Sequence, residues 1–473
     1  MSVKTGKHNV PSNKKTVQAF NFLAGPKKSR TLETSLMFPY DKLKDTIPKS
    51  ILDRGLTVLG TESQPIKLLF EQRRVPQEGW KDNQIEEFLN LLSTMDSDKD
   101  SKAVFLGERE GRVASPAVSR LANGFHHGIG RSGDLTEAQP KAAGGSLMYY
   151  FASKLANDAM KRFGAPNIKK TVVFPVATGM TLALVLCAAR NHTMGREVVY
   201  PQIDHKTPLK AIHLAGLQEK IVKGEICGDA VNVPTEEIEK AVNENTAAIL
   251  STTTFFSPRE PDKIKDIAKI AEKKKVPHII NNSFGVQSRE IMKLIRGAID
   301  AGRVDAIIQS TDKNFLTPVG GAIVASPNEE FLDEISEIYA GRATAAPVVQ
   351  FLAAVLSIGL EGYEKLRTQQ EENRKFLESS LKEVAERHSQ RILNVYNPIS
   401  VAMTLEGRDA KKIGQALYAL RVNGARALEK NDFGVCCPEY VSSYINFDAS
   451  IGIQKKEIIL AIERLDTVLK TVA

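Results

Sequence analysis

From residue 168 onward, short runs rich in β-branched residues alternate with helical patterns such as TGMTLALVLCAARNH and IKDIAKIAEKKK. The predicted strands are TVVFPVA, EVVYPQID, TAAILSTTT, PHIINNS, DAIIQS and AIVAS. This alternation predicts an α/β fold with a mostly parallel, doubly wound sheet covered by helices on both faces. Ligands of such sheets bind beyond the carboxyl ends of the strands, so the residues that follow each strand are the candidate site.

Lys313 lies just beyond the run VDAIIQ, in the stretch QSTDKNFLTPVGG. Lysine is rarely buried without a partner, and a lysine at a strand end is usually a solvated loop residue. The other reading is a lysine held for a Schiff base with a carbonyl cofactor. Lys313 by itself does not decide between these two interpretations.

Three other strand ends carry residues that fit a cofactor site. Gly179 and Met180 begin a helix whose amides could hold a phosphate, His205 could stack on an aromatic ring, and Asn281 could meet a pyridine nitrogen. Each has a commoner meaning, namely a helix cap, a surface histidine or a strand-end amide. Their order along the chain, ending with Lys313, is typical of a pyridoxal phosphate enzyme of the aspartate-aminotransferase fold.

Two glycine-rich loops that carry arginines, GEREGR and HHGIGRSGDLTEAQPKAAG, precede this region. Arginine forks match phosphate oxygens, and glycine lets backbone amides approach them. The loops contain Arg109 and Arg131 near Ser132 and Gln139, and GRATAAP contributes Arg342 as a third candidate. These loops favour an anionic substrate.

The structural alternative for the second loop is helix capping. Asp134 and Glu137 fit a capping arrangement for a helix over LTEAQ. Because a cap presents free amides, this helix and a phosphate site are compatible.

The charge of the N-terminal segment and the cysteine content restrict the possible partners and cellular compartment. The first 30 residues carry seven Lys or Arg and no Asp or Glu, which predicts a disordered basic tail. It could attract phosphate backbones, serve only solubility, or be a mitochondrial presequence without a clear amphipathic helix.

Four cysteines, adjacent Cys436 and Cys437 among them, form no CxxC spacing, which favours a reducing, cytoplasmic compartment. No run reaches the roughly 18 apolar residues of a membrane span.

The predicted organisation has four parts. Residues 1–35 form the tail, 36–150 an N-terminal extension with helices and active-site loops, and 151–350 the large cofactor-binding domain. Residues 351–473 form a connecting helix, with its pattern over 351–390, and a small C-terminal α/β domain.

The motifs together resemble those of the O-phosphoseryl-tRNA:selenocysteinyl-tRNA synthases, the SepSecS family. The resemblance is carried by GEREGR, HGIGRSGDLTEAQPKAAG, TGMTLAL, PHIINNSFGVQS, QSTDKNFLTPVGGAIVAS and YAGRATAAP. It runs from about residue 80 to the C-terminus. His205 and a short loop before SYINFDA resemble the archaeal members.

This resemblance implies fold type I, pyridoxal 5′-phosphate, and a homotetramer in which one dimer positions the tRNA for the other. Lys313 would form the Schiff base, and Glu108 would lie beside the cofactor. The substrate phosphate would bind to Arg109, Arg131, Ser132 and Gln139, and Arg342 would reach a neighbouring subunit's site. Gly179 and Met180 would face the cofactor phosphate, and Asn281 its pyridine ring.

The implied reaction converts phosphoserine on tRNA(Sec) to selenocysteine. Lys313 would take the Cα proton, phosphate would leave from Cβ, and selenium from selenophosphate would add there. Two alternatives stay open from the residues alone. One is another pyridoxal phosphate β-elimination or desulfurase-type enzyme, and the other is a tRNA-binding homologue without catalysis.

Overall fold

The computed structural model describes residues 46–430 and 440–472. The predicted tail, residues 1–35, and Cys436 and Cys437 lie outside this part. The chain divides into two compact units, residues 1–64 and 65–473.

The described helices and strands alternate through most of the chain. The helices are α1 (Lys49–Gln72), α2 (Asp82–Ser93), α3 (Pro116–Leu121), α4 (Ala143–Arg162), α5 (Thr178–Thr193), α6 (Lys206–Leu214), α7 (Thr235–Ala241), α8 (Ile264–Lys274), α9 (Arg289–Ala301), α10 (Thr311–Phe315), α11 (Glu329–Ser336), α12 (Ala346–Arg387), α13 (Ala410–Ala419) and α14 (Lys455–Thr471). The strands are β1 (Lys170–Phe174), β2 (Glu197–Pro201), β3 (Gln218–Val222), β4 (Glu225–Cys227), β5 (Ala230–Asn232), β6 (Thr246–Thr252), β7 (His278–Asn281), β8 (Ala306–Ser310), β9 (Ala322–Ser326), β10 (Ser400–Thr404), β11 (Arg426–Leu428) and β12 (Tyr444–Asp448).

A seven-stranded sheet, in the order β1-β9-β8-β7-β6-β2-β3, forms the centre of the second unit. The pairs from β8 through β7, β6 and β2 to β3 are parallel, and β9, between β1 and β8, runs antiparallel to both of them. Every residue of β6 is buried, because helices cover both faces of such a sheet. This confirms the predicted α/β fold and explains why its strands read as continuous apolar runs.

A second, antiparallel sheet has the order β10-β12-β11. It packs with α13, α14 and the end of α12 around a separate apolar cluster that includes Leu381, Ile413, Ile445 and Leu465. The sequence pattern indicated a small α/β arrangement here.

Helix α12 corresponds to the helical pattern predicted for 351–390, and it contains a break at Gly359. Gly359 has φ 64° and ψ 179°, a conformation that is essentially restricted to glycine. The segment 76–80 packs into the break, where Leu360 N donates to Pro76 O at 2.9 Å and Trp80 N donates to Leu356 O at 2.8 Å. Among the described residues, α12 also has the one apolar window long enough for a membrane span, by length and composition only, and half of that window is buried within the protein.

Replacing Gly359 by alanine should destabilise the protein. The new Cβ would lie 2.6 Å from Gly79 N and 2.7 Å from Glu78 C, both backbone atoms, and the backbone strain alone costs about 1–3 kcal/mol. Gly297 inside α9 is the control, since a Cβ there meets nothing within 4 Å. Gly297→Ala should raise the free energy of unfolding by about 0.5–1 kcal/mol. Urea unfolding of both variants measures the difference, and equal stabilities would contradict the assignment of strain at Gly359.

Candidate active site

Lys313 lies at the carboxyl edge of the large sheet, in the short helix α10 that directly follows β8. Its side chain is exposed, and Nζ lies 5.9 Å from the centroid of the Phe284 ring. The backbone around it is held firmly. Asn314 Nδ2 donates to Ser283 O and Ser310 O, both at 2.8 Å, and Gln287 Nε2 donates to Lys313 O at 3.2 Å. These bonds fix the lysine's backbone, while its side chain is exposed at the carboxyl edge of the sheet.

His205 follows β2 on the same edge of the sheet and caps α6. Its Nδ1 accepts from Thr207 N at 3.2 Å, which assigns the ring proton of the neutral form to Nε2. Partial burial lowers the pKa of the imidazole, and the positive charges of Lys313 and Arg426 lower it further. A neutral, flat ring close to Lys313 is suited to stacking on an aromatic cofactor.

The N-terminus of α5, with Gly179 and Met180 in its first turn, follows β1. No side chain caps this helix, so its first amides are available to an anion. Gly179 is required by close packing, because a Cβ there would lie 2.5 Å from Thr207 Cγ2 on α6. The backbone amides of α5 and the His205 cap of α6 are thereby brought next to each other.

Asn281 is the last residue of β7, and only 8% of it is exposed. Its Oδ1 accepts from Ser283 Oγ at 2.6 Å, while its Nδ2 makes no hydrogen bond with any described residue. The neighbouring Asn282 faces the other way and accepts from Thr253 Oγ1 at 2.7 Å. Asn281 therefore has a free amide donor, which a pyridine nitrogen could accept.

An aromatic wall connects these strand ends, and sequence reasoning missed it. Phe255 packs edge-on against His205 with ring centroids 5.9 Å apart, and Phe256 stacks with Phe284 at 6.5 Å. Arg426 of β11 lies 5.1 Å from the Phe256 centroid and donates to the carboxylate of Asp204. No local motif marks Arg426, because only the folded chain brings β11 to this edge.

The second glycine-rich loop forms a tight turn. Arg131 N and Asp134 O are 2.9 Å apart, as are Asp134 N and Arg131 O. Ser132 (φ 46°) and Gly133 (φ 100°) occupy the two central positions, as a two-residue hairpin turn with two positive φ angles requires. This turn places Ser132 and the Arg131 side chain at an exposed tip.

The helix predicted over LTEAQ is wrong. Residues 135–139 are not helical, and Asp134 Oδ1 instead accepts from Thr136 N at 2.7 Å and from Thr136 Oγ1 at 2.8 Å. Glu137 forms an ion pair with Arg131 at 3.2 Å. The aspartate caps a turn rather than a helix, since Asp bonds its own backbone two residues on in either case.

The other predicted phosphate ligands lie around the same turn. Arg342 donates to His127 O, and the pKa of its guanidinium is lowered by burial and by the nearby charge of Arg109. Gln139 N donates to Ser146 Oγ at 2.9 Å. Glu108 is exposed, whereas its neighbour Glu110 is buried and pairs with Lys141 at 2.5 Å. We refer to residues 107–112, 126–141 and 341–343 as the arginine loops.

The predicted site therefore falls into two groups. The strand-edge group contains Lys313, His205, Asn281, Gly179 and Met180, and the arginine loops contain the phosphate ligands. Within the described part of the chain, no hydrogen bond or ion pair joins the two groups.

The fold has counterparts among solved structures. A sphingosine-1-phosphate lyase from Burkholderia pseudomallei superposes with a TM-score of 0.55 at 14% identity, covering 96% of this chain and 94% of that one. With a lysine at the carboxyl edge of a largely parallel sheet, this arrangement defines the fold as that of the fold type I enzymes.

Closer similarity identifies the family. The family profile described as O-phosphoseryl-tRNA(Sec) selenium transferase, SepSecS, matches residues 95–470. The protein of that name from Methanopyrus kandleri is 44% identical over 429 residues, covering 90% of this chain and 99% of the relative. The crystal structure of an archaeal O-phosphoseryl-tRNA(Sec) selenium transferase superposes with a TM-score of 0.87 at 39% identity, covering 90% and 98% of the two chains. The chain belongs to the O-phosphoseryl-tRNA(Sec) selenium transferase family.

Proposed function

We propose that this protein converts O-phosphoseryl-tRNA(Sec) to selenocysteinyl-tRNA(Sec) with pyridoxal 5′-phosphate as cofactor. The observation that carries the proposal is the strand-edge group, where an exposed lysine, an uncapped helix N-terminus and a free amide donor share one edge of the sheet. Relatives that carry the name of this activity, one of them 44% identical over nearly its whole length, support the substrate.

The strand-edge group fits the proposed cofactor. Lys313 would hold its aldehyde carbon covalently, the first amides of α5 at Gly179 and Met180 would hold its phosphate, and His205 would stack on its ring. Asn281 would donate its free amide hydrogen to the pyridine nitrogen. When bound, the cofactor supplies an electron sink for the negative charge that develops at the substrate's Cα.

The chain's own residues would then move one proton and hold one leaving group. Lys313, released by the substrate amine, would take the proton from Cα as general base and later return it. Guanidinium groups of the arginine loops would bind the phosphate and stabilise its charge as it leaves Cβ. They would also disfavour unphosphorylated seryl-tRNA, because the arginines of the bound complex would lose their phosphate partner.

The finer assignments belong to the same proposal. Selenophosphate would supply the selenium, and the protein would work in the cytoplasm as a homotetramer, a dimer of dimers. In this assembly Arg342 would reach the active site of a neighbouring subunit. Glu108 would lie beside the cofactor in that arrangement.

A desulfurase-type activity receives no support from the described cysteines. That chemistry needs a nucleophilic thiolate on a mobile loop. Cys187 is partly buried in α5, and burial raises the pKa of its thiol. Cys227 is exposed on β4, within a two-stranded hairpin rather than a loop.

The decisive experiment supplies the purified protein with phosphoseryl-tRNA(Sec) and selenophosphate, and measures the mass of the aminoacyl product. We expect selenocysteine from phosphoseryl-tRNA and no conversion of seryl-tRNA. Equal conversion of both substrates would overturn the proposal, and so would release of alanine and sulfide from free cysteine with no reaction of the charged tRNA.

A further inference from the structure

Asp98, which follows α2 outside the predicted site, hydrogen-bonds two cationic or titratable groups and contacts a third. Its Oδ2 lies 2.6 Å from Lys99 Nζ and 2.7 Å from His126 Nδ1. Its Oδ1 lies 3.3 Å from His127 Nε2, a close contact without hydrogen-bond geometry. Only 7% of the Asp98 side chain is exposed, and that of His127 is fully buried. A buried carboxylate with two bonded partners and one close neighbour is the centre of a network rather than a solvated surface charge.

We infer that Asp98 is a positioning residue for the substrate phosphate site, because its carboxylate ties the arginine loops into one unit. This inference rests on the proposed function, in which those loops bind the phosphate of phosphoserine.

One arm of the network fixes the beginning of the second arginine loop. His126 bonds Asp98 through Nδ1, and its Nε2 lies 2.7 Å from Ser119 Oγ on α3. Lys99 Nζ, besides pairing with Asp98, donates to Gly124 O at 2.7 Å. The chain from 119 to 126 is thus attached to the carboxylate at two points before it enters the loop.

The other arm reaches Arg342. The carbonyl of His127, the residue whose ring faces Asp98, accepts the hydrogen bond from the Arg342 guanidinium. Two residues further on, Ile129 N donates to Ala343 O at 2.9 Å and Ala343 N donates to Ile129 O at 3.1 Å. Movement of the His127 ring would therefore shift the guanidinium and the strand bridge that holds its loop.

The first arginine loop, residues 107–112, packs on Asp98 and His127. A Cβ on Gly111 would lie 2.7 Å from Asp98 Cβ and 2.9 Å from His127 Nε2, so the GEREGR segment rests directly against the network. All three arginine-bearing segments consequently depend on the position of one carboxylate.

The charge of Asp98 is maintained at neutral pH. Burial raises the pKa of this carboxyl, but the hydrogen bonds from Lys99 and His126 outweigh burial and leave the pKa below its usual value. An amide at this position would keep the shape of the side chain and lose the charge that holds Lys99 and His126.

Asp98→Asn should raise the KM for phosphoseryl-tRNA by roughly 10- to 100-fold, because small misplacements of binding groups have effects of that size. We expect kcat and the absorbance of the bound cofactor to change much less. Asp100→Asn, an exposed neighbour whose Oδ1 accepts from Lys102 N at 2.9 Å, is the matched control and should match wild type.

A double-mutant cycle separates positioning from general destabilisation. If Asp98 acts through Arg342, then Asp98→Asn should raise KM far less in an Arg342→Ala background than in wild type. Fully additive effects would overturn the inference, as would an unchanged KM in the single variant. If Asp98→Asn does not fold, His126→Gln removes one arm only and should raise KM in the same direction, and an unchanged KM there would also overturn it.

Hydrogen exchange keeps this test independent of the activity. The amides of Ile129 and Arg131 should exchange faster in Asp98→Asn, while those of β6 should not change. If wild type fails to convert phosphoseryl-tRNA but the exchange result holds, the proposed function fails and the network stands. Unchanged exchange at Ile129 in an active enzyme overturns the network alone.

Discussion

Lys313→Ala should abolish turnover and the near-visible absorption of the lysine-bound cofactor together. The lysine is exposed at the sheet edge while its backbone is fixed by Gln287 and Asn314. The substitution therefore removes the amine with little effect on packing. Loss of general acid–base catalysis alone lowers kcat by about 10²- to 10⁴-fold, and loss of the covalent attachment adds to this. Single-turnover kinetics and an absorption spectrum measure both effects.

Lys269→Ala is a suitable control, because Lys269 is an exposed lysine on α8 that pairs with Asp266 at 2.8 Å. It should keep the spectrum and the rate of wild type. Borohydride should reduce the cofactor onto residue 313 in wild type, as peptide mapping would show. Cofactor fixed to another lysine would contradict the assignment.

The sequence predicted the strand-edge group because its signals are local. Each of these residues directly follows an apolar run, and the carboxyl ends of parallel strands meet at one edge of the sheet. The position of β8 and the turn into α10 therefore placed Lys313 correctly relative to the strand. Although β9 runs antiparallel to β8, the carboxyl ends of the parallel strands still share one edge of the sheet.

The arginine loops were less predictable, because turns and helix starts use the same residues. Asp134 and Glu137 fit a capping pattern, yet the strand bridge between Ile129 and Ala343 imposes a turn on this segment. Ala343 lies more than two hundred residues away in sequence, so no local window contains it. The same holds for Asp98, whose histidine partner His126 lies 28 residues later in the chain.

In the proposed function, Asn281 is the neutral partner of the pyridine nitrogen. Ser283 Oγ donates to Asn281 Oδ1 at 2.6 Å, which leaves Nδ2 as the donor of this amide. A donor at this position favours an unprotonated ring nitrogen, and such a ring withdraws electrons less strongly than a protonated one. Elimination of a good leaving group needs only a modest sink, which accords with an asparagine where an aspartate would serve transamination.

Arg131→Ala should weaken the handling of phosphoseryl-tRNA while leaving the cofactor bound. Hydrogen bonds to charged groups contribute about 1.5–3 kcal/mol, which corresponds to a loss of about 10- to 150-fold in kcat/KM. The absorption spectrum should stay that of wild type, because Arg131 lies in the arginine loops and makes no bond to the strand-edge group. Arg296→Ala on α9, whose guanidinium pairs with Asp300 at 3.7 Å, is the control and should not alter either quantity.

Glu137→Gln, also in the arginine loops, should have the opposite effect and lower the KM for phosphoseryl-tRNA. Glu137 holds the Arg131 guanidinium at 3.2 Å, and both side chains are nearly half exposed. In the proposed function, the substrate phosphate competes with this carboxylate for the Arg131 guanidinium. Because an exposed pair of this kind contributes at most about 1 kcal/mol, its removal should lower KM by up to about 5-fold. A higher KM in Glu137→Gln would mean that the carboxylate orients the arginine for the substrate instead of competing with it.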